Sequence, residues 1–344
     1  FGPGAGATTS ISGRGGGYGG FGGCTIESTA LGPTYGDPSF PEYCGSGAGK
    51  ADLSGSGGGL IRIEAPNGTV TIHGTLSANG QGAITTHGGG GSGGGILVIC
   101  TNVAGSGTGL LRARGGGGIN QGGGGGGGRI AVLYDPATQG GVWPGIRFDV
   151  RRGDDGGSRG YGRSSENGTV WLPDPSILTP SITGGVLQNT RLLIANMDSW
   201  SPSSLFISNC SFVLDRTNFN LSVNGPLTVQ NGTLGLKGDF RLTVGGNLIL
   251  TNSAALELYG GPTNGLPTDY SGLVSVSGLV SLATGCWVHV FSDWTDGGSP
   301  LFRANTLRIA SDAGFNANGR GFRAGRGYGL GSGFSGAGYG GKGG

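Results

Sequence analysis

Charged side chains are scarce in this sequence, and their signs nearly balance. Lys, Arg, Asp and Glu make up 12% of the 344 residues, and the formal net charge is +2. An average globular protein contains about 25% of these residue types. No run of Lys or Arg is long enough to line a groove for a polyanion. The sequence therefore predicts no nucleic-acid partner.

Long apolar runs and paired metal ligands are also missing. No stretch approaches the length of about 18 consecutive apolar residues that a bilayer-spanning helix needs. The five Cys form no Cys-x-x-Cys pair and there are three His, so the sequence lacks the ligand set of a zinc site. We predict no membrane insertion, no metal and no cofactor.

Two of the cysteines favour an oxidising compartment. Cys24 and Cys44 bracket a stretch of the N-terminal half that has neither a glycine run nor strand alternation. A disulfide between them would restrict the unfolded chain and stabilise the fold by about 3 kcal/mol. The chain starts at Phe1 without a Met or a signal-peptide pattern, which we interpret as a processed or excised chain. The predicted location is extracellular or at the cell surface.

Glycine is the residue that the chain has in excess. It occupies 84 of the 344 positions, while 35% of the residues are hydrophobic, which is not the composition of a disordered chain. Composition divides the sequence into three regions: residues 1–165 are rich in Gly, residues 166–312 alternate apolar and polar residues, and residues 313–344 are again rich in Gly. We therefore expect an ordered chain with three distinct segments.

The middle region has the period of short β-strands. Apolar residues recur two positions apart, as at Leu227 and Val229, and turn signals such as Asn231-Gly232 separate the pairs. Three strands of this length make a turn of about 20 to 25 residues, which is typical of a parallel β-helix. We predict an all-β, right-handed parallel β-helix, or β-solenoid. The alternative is a β-sandwich of short antiparallel strands.

The glycine-rich half repeats an internal unit. Gly55 to Gly59, followed by a strand-like segment to Ile63, returns 36 residues later at Gly91 to Ile99. Glycine runs are usually flexible linkers, but these alternate regularly with strand patterns. We therefore predict that they form extended threefold helices of the polyglycine II type, in which missing side chains let neighbouring backbones approach.

The two ends of the chain match each other. Residues 1–6 match residues 328–333, and residues 15–23 match residues 336–344. Matching ends predict a head-to-tail contact with a second copy or a tandem repeat, and such a contact forms an open filament when it closes no ring. We predict that aromatic residues in and near these segments pack across the contact. They are Phe1, Tyr18, Phe21, Phe322, Tyr328, Phe334 and Tyr339.

The order of these blocks resembles a known type of module. Glycine runs lead into apolar strands, with Asn-Gly-Thr and Gly-Thr-Leu-Ser-Ala-Asn-Gly between them, and end in Gly-Arg-Ile-Ala-Val-Leu-Tyr-Asp. Residues 1–135 and 305–344 are in this respect similar to the glycine-rich modules of very large bacterial surface and secreted proteins. The resemblance implies a β-helical architecture and surface structure or adhesion, with no catalytic residues.

The predicted function is structural. We expect a subunit or tandem repeat of an extracellular filament or cell-surface layer, whose partner is itself, and we do not expect an enzyme. Two alternatives stay open: an adhesin stalk that binds surfaces or glycans, and a polysaccharide-active β-helix enzyme, a lyase or hydrolase. The enzyme would need clustered carboxylates, for which Asp293-Trp294-Thr295-Asp296 is the best candidate.

Asparagines before Gly-Thr have a second interpretation. Asn67 and Asn231 are predicted to supply left-handed turn positions ahead of a strand. Both also belong to N-glycosylation sequons, which the sequence permits without indicating that they are used. The sequons occur at Asn67, Asn167, Asn209, Asn220 and Asn231.

Overall fold

The chain forms two compact units. The structure is a computed structural model that describes residues 2–8, 12–24, 31–49, 54–157, 164–263, 270–322, 326–331 and 337–339. Unit 1 contains residues 1–178, 184–197 and 210–212. Unit 2 contains residues 179–183, 198–209 and 213–344. Within the described ranges, no helix is long and apolar enough to cross a membrane.

Almost all the regular structure of the described residues is β-strand, and α1 (Pro136–Gln139) is the one short helix among them. The strands in chain order are β1 (Leu60–Ile72), β2 (Thr75–Ser77), β3 (Gly95–Gly105), β4 (Leu110–Arg112), β5 (Arg129–Leu133), β6 (Arg147–Asp149), β7 (Thr169–Leu172), β8 (Ser181–Ile182), β9 (Leu187–Ile194), β10 (Ser199–Trp200) and β11 (Leu205–Ser208). They continue with β12 (Ser211–Leu214), β13 (Asn220–Val223), β14 (Leu227–Gln230), β15 (Thr233–Lys237), β16 (Phe240–Val244), β17 (Leu248–Thr251), β18 (Ala255–Tyr259), β19 (Gly272–Leu282), β20 (Trp287–Phe291), β21 (Leu301–Ile309) and β22 (Gly314–Asn316).

Unit 1 contains a parallel sheet with the strand order β1-β3-β5-β7-β9, and the short strands β2, β4 and β6 pair in the same way. Equivalent positions form columns across it, such as Ile61, Ile96, Ile130, Val170 and Leu192. All of these except Ile61 are buried. Strands β7 and β9 follow the glycine-rich region in sequence but belong to unit 1 by their contacts.

Unit 2 is a solenoid of parallel strands. One turn consists of β13, β14 and β15, and the next consists of β16, β17 and β18. Each strand of the second turn pairs in parallel with the equivalent strand of the first turn. Asn220 pairs with Arg241 and Leu227 pairs with Leu248, 21 positions later in both cases. These parallel pairings confirm the predicted β-solenoid and exclude the antiparallel sandwich. Later turns are longer, because residues 260–271 are inserted between β18 and β19.

Left-handed asparagines recur at one corner of successive turns. Asn209, Asn231 and Asn252 follow β11, β14 and β17, with φ of 55°, 46° and 53°. The Asn231 side-chain nitrogen donates a hydrogen bond to the Asn209 side-chain oxygen at 2.6 Å, so the side chains also connect the turns. The predicted turn at Asn231 is confirmed. The prediction for Asn67 is wrong, because this residue lies inside β1 at a bulge in its pairing with β3.

Glycine runs in unit 1 form a polyglycine bundle, which we define as residues 13–23, 88–94, 113–118, 122–128 and 150–156. In its central segment, 122–128, every third N–H points to the same neighbour. Gly123 donates to the Gly13 carbonyl at 3.0 Å and Gly126 donates to the Gly16 carbonyl at 2.9 Å. N–H groups that point in the other directions also donate hydrogen bonds to carbonyl oxygens: Gly125 to Gly116, Gly128 to Ala113, and Gly127 to Glu166.

This threefold pattern confirms the predicted polyglycine II geometry, in which hydrogen bonds leave a segment in several directions. The segments pack too closely for side chains. A Cβ atom at Gly126 would lie under 3.0 Å from the carbonyl oxygen of Gly20, and one at Gly123 would approach the Gly23 carbonyl as closely. Backbone hydrogen bonds and close contact therefore replace side-chain packing here.

The repeat in unit 1 is one residue shorter in the structure than in the sequence match. The match aligns Leu60 with Ile96, whereas β1 pairs Leu60 with Gly95 and Ile61 with Ile96. A one-residue slip would turn each side chain to the opposite face of the sheet. The sequence repeat of 36 residues therefore differs by one from the strand register, which keeps Ile61 and Ile96 in one inward column.

Candidate assembly surfaces

The last turn of unit 2 leaves its apolar column uncovered. Strand β21 pairs with β19 on one side, and no described strand pairs with its other edge. One inward column contains Val229, Leu250, Leu282 and Ile309. The first three are at most 1% exposed, whereas Ile309 is 45% exposed. The solenoid core therefore continues to the surface at β21.

A second column behaves in the same way. Leu227, Leu248 and Val280 are fully buried, and Leu307, the next residue in the column, is 47% exposed. In β22, which follows β21 in the chain and pairs with β20, Phe315 lies opposite the buried Val288 and is itself exposed. Phe302 pairs with the buried Val274, and its ring meets that of Phe315 edge to face. We call Phe302, Leu307, Ile309 and Phe315 the terminal apolar face.

Unit 1 has a free edge of the same kind at β1. This strand pairs with β3, and within the described chain nothing pairs with its other edge. Its inward residues Ile61 and Ile63 are half-buried, and Leu60 is exposed. The outward side carries an ion pair between Arg62 and Glu64. A parallel edge with unpaired N–H and C=O groups is a template for a further strand.

The aromatic residues predicted at the inter-unit contact divide into three groups. Phe1 and Phe334 lie outside the described residues. Phe21 is half-buried in unit 1. In unit 2, Phe322 is exposed and its ring meets that of Tyr328 edge to face, with centroids 5.9 Å apart.

Tyr328 and Tyr339 are the most exposed aromatic side chains of the described chain, whereas Tyr18 is fully buried. Tyr18 packs on Tyr35, with ring centroids 4.7 Å apart, and the Arg129 guanidinium lies 5.4 Å from its centroid. Tyr18 therefore has no surface left for another copy, and the prediction of an inter-unit role for it is wrong. Burial and these two contacts make it a core residue of unit 1.

The predicted disulfide is absent from the structure. Cys24 is buried, Cys44 is exposed, and no bond joins their sulfur atoms. The other cysteines, Cys100, Cys210 and Cys286, are buried among apolar residues of the strands and turns. Burial raises the pKa of the Cys100 thiol, so this side chain behaves as a small apolar residue.

The carboxylates of the predicted acidic cluster stabilise turns by accepting backbone hydrogen bonds. Asp293 accepts hydrogen bonds from the Thr295 and Asp296 N–H groups at 2.8 and 3.2 Å, and Asp296 accepts from the Thr263 N–H at 2.6 Å. Partial burial alone would raise the pKa of Asp293, but its hydrogen bonds lower that pKa overall. Backbone N–H groups thus hydrogen-bond to the side chains of both Asp293 and Asp296, which stabilises the local turns.

Unit 2 contains a groove of about 370 Å³. Among its described lining residues, Asp239 is the one carboxylate, and Arg241 and Tyr270 lie beside it. A glycosidase needs a pair of carboxylates. The described chain also contains no group of three His, Cys, Asp or Glu residues able to hold a metal ion.

Comparisons with protein-family models, with curated proteins and with solved structures find no match to this chain. The resemblance to glycine-rich bacterial surface modules is therefore supported by the sequence blocks alone. The fold and the uncovered strand edges are the observations from which function is argued.

Proposed function

We propose that the chain is a structural subunit, or one tandem repeat, of an extracellular filament or cell-surface layer that assembles head to tail. The observation that supports this is the terminal apolar face. Buried columns such as Leu227, Leu248 and Val280 continue to Leu307, and no described strand caps them there. Solenoid proteins need polar terminal repeats to stay soluble as separate molecules.

The second copy supplies what the terminal apolar face lacks. Full burial of a Leu or Ile side chain contributes about 1.5–3 kcal/mol, so covering the exposed halves of Leu307 and Ile309 contributes about 1 kcal/mol each. The free β1 edge of the next copy brings a long parallel strand with unpaired backbone groups. A contact between two different surfaces of identical copies repeats from copy to copy, and it produces a filament when it closes no ring.

The proposal needs no cofactor, nucleic acid or catalytic group. It is compatible with separate subunits and with covalently continuous repeats, because the same two edges meet in both. An extracellular or cell-surface location fits a protein whose partner is itself and whose surface carries few charges.

The experiment replaces two residues of the terminal apolar face with Lys, as Leu307→Lys with Ile309→Lys. The control is Ile84→Lys with Val142→Lys, which changes two exposed aliphatic residues that lie outside β1, β21 and β22. Electron microscopy and sedimentation of the full chain should show filaments for wild type and control. We expect the double variant to remain monomeric, because each Lys would have to be buried at the contact.

Two results would contradict the proposal. Wild-type protein that stays monomeric at high concentration would remove the structural function. Filaments of normal length from the double variant would show that the terminal apolar face is not the contact. Circular dichroism and the melting temperature of each variant report whether the fold is intact.

A further inference from the structure

One outward sheet face of unit 1 collects arginines that are far apart in the sequence. It is formed by β2, β4 and β6, whose inward residues Leu111 and Phe148 are fully buried. Side chains alternate along a strand, so the residues next to these two point outward. The outward residues on β4, on β6 and just after these strands include Arg112, Arg114, Arg147 and Arg151. We call these four residues the arginine face.

Strand pairing brings the arginines side by side. Arg112 pairs with Asp149. The Gly115 N–H donates a hydrogen bond to the Arg151 carbonyl at 2.8 Å, which continues the ladder and places Arg114 beside Arg151. Two like charges at facing positions of adjacent strands destabilise a sheet. A local conflict of this kind is typical of a functional site.

Among the described residues of this outward face, Asp149 is the one carboxylate, and it is already occupied. Its side chain is 1% exposed and accepts hydrogen bonds from Arg114 Nε at 2.8 Å, from Arg114 Nη2, and from the Arg151 backbone N–H at 3.1 Å. The next charged residues along the chain, Arg152 and Asp154, have opposite signs. Four guanidinium groups and one carboxylate give this face a net charge of +3, whereas the whole chain carries +2.

The guanidinium groups other than that of Arg114 keep donors for a ligand. Arg112 donates from Nε to the Ser77 hydroxyl at 3.1 Å. The Asn189 amide, oriented with its oxygen toward Arg151, accepts from Nε and Nη2 of Arg151 at 3.1 and 3.2 Å. The Nε of Arg147 is buried and has no hydrogen-bond partner in the described part of the chain. A guanidinium group has five N–H donors, and Arg151 is exposed and Arg112 half-buried, so an anion can reach both.

We infer that the arginine face binds an acidic polysaccharide through its carboxylate or sulfate groups. A guanidinium group forms two parallel hydrogen bonds with a carboxylate or with a tetrahedral oxyanion. Side-chain amides and a hydroxyl group surround the arginines, and these groups can hydrogen-bond to the hydroxyl groups of sugar rings. They belong to Ser77, Asn79, Gln188 and Asn189.

Two features favour a polysaccharide over another polyanion. None of the arginines or of their polar neighbours is aromatic, whereas proteins that bind single-stranded nucleic acid use aromatic side chains to stack the bases. A polysaccharide ligand also suits the proposed location outside the cell. The inference goes beyond the proposed assembly, because it uses a sheet face and not the free strand edges.

The experiment measures binding of the full chain to immobilised dextran sulfate, polygalacturonate and neutral dextran by biolayer interferometry. The test variant is Arg112→Gln with Arg151→Gln, which leaves the ion pair of Asp149 intact. The control is Arg216→Gln with Arg241→Gln, which removes the same charge from two exposed arginines of unit 2. We expect wild type and control to bind an acidic polymer and not dextran. The test variant should bind about tenfold or more weakly, because charge-assisted hydrogen bonds are lost.

Three results would overturn the inference: no binding of wild type to either acidic polymer, an equal loss of affinity in the control, or equal affinity for double-stranded DNA. Tighter binding of dextran sulfate would support it with sulfate as the recognised group, and tighter binding of polygalacturonate would support it with carboxylate. Arg151→Gln alone repeats the test if the melting temperature of the double variant falls. Filaments that form without binding either polymer would overturn this inference and leave the proposed function in place.

Discussion

Individual glycines in the polyglycine bundle are required by close backbone contacts and not by turn geometry. Gly123, Gly126 and Gly128 each face a carbonyl oxygen of another segment at a distance that excludes a Cβ atom. The neighbouring atom is backbone in each case, so it has no rotamer with which to move away. Adding a single methyl group at one of these positions should therefore disturb the packing of several segments.

We predict that Gly126→Ala destabilises unit 1 by about 1–3 kcal/mol or more, the cost of inserting a methyl group into a packed interior. The reason is the Gly20 carbonyl, which the new Cβ would overlap. Urea unfolding, monitored by far-ultraviolet circular dichroism, measures the change in the free energy of unfolding.

The control for this prediction is Gly59→Ala, at the end of another glycine run. A Cβ atom there meets nothing within 4 Å. We expect no loss of stability, and a gain of about 0.4–1 kcal/mol is consistent with reduced freedom of the unfolded chain. Equal destabilisation by both substitutions would mean that glycine acts in the bundle through flexibility, and the close-contact explanation would fail.

In the solenoid strands, the inward-facing side chains contribute most of the hydrophobic stabilisation. In β17, Leu250 is fully buried and stacks between Val229 and Leu282 of the adjacent turns, whereas its neighbour Ile249 faces outward and is half-buried. The hydrophobic contribution of each side chain follows the area it removes from water. Adjacent residues of nearly equal size should therefore differ strongly in importance.

We predict that Leu250→Ala lowers the free energy of unfolding by about 2–5 kcal/mol, the usual range for a buried Leu that leaves a cavity. Ile249→Ala should cost about 1 kcal/mol or less, because water already reaches that side chain. Denaturant unfolding of both variants gives the comparison. A cost for Ile249→Ala equal to that of Leu250→Ala would contradict the assigned inward and outward faces of β17.

Sequence patterns at this scale predicted the strands well, because a period of two directly reports a half-buried strand. They predicted the turn at Asn231 for the same local reason. They failed where contacts with residues elsewhere in the sequence determine whether a side chain is buried. Tyr18 and Tyr339 lie in matching sequence, yet Tyr35 and Arg129, which lie far along the chain, bury only Tyr18.

The terminal apolar face was also beyond sequence reasoning. The alternation around Leu307 and Ile309 is the same as in the buried strands, and no local signal marks β21 as an edge strand of its sheet. The register of 35 instead of 36 residues in unit 1 has a similar cause, since glycine runs carry no side chains whose burial would fix an alignment. Glycine-rich sequence thus predicts backbone geometry better than it predicts partners.

For the molecule as a whole, stability should depend on pH at two limits. On the acid side, hydrogen bonds from Ser39 lower the pKa of Asp37, and burial followed by the nearby Arg320 lowers the pKa of His289. The unfolded chain binds these protons first, so their contribution is present at neutral pH and is lost as pH falls below about 6.5 for His and about 4 for Asp.

On the alkaline side, burial raises the pKa of Tyr18, Tyr35 and Tyr134 above the ordinary value near 10. Above that pH the unfolded chain loses protons that the folded chain keeps. Folding stability should then fall by about 1.4 kcal/mol per pH unit for each such group until its folded pKa is reached. We therefore predict a plateau of melting temperature between about pH 7 and pH 9, with losses on both sides.

The loss of stability at alkaline pH can be assigned to a residue with the substitution Tyr18→Phe. The control is Tyr339→Phe, at the matching position near the other end of the chain. Tyr18→Phe removes the ionisable group from the core, where burial outweighs the attraction of Arg129 for the phenolate, so the melting temperature should fall less steeply above pH 10. Tyr339→Phe removes a hydroxyl that is fully exposed in the folded chain, so it should leave the profile unchanged. Calorimetry between pH 8 and pH 11 measures both. Parallel alkaline losses in wild type and Tyr18→Phe would mean that burial of Tyr18 does not control this limit, and Tyr134, which hydrogen-bonds to Asp174, would be the next residue to replace.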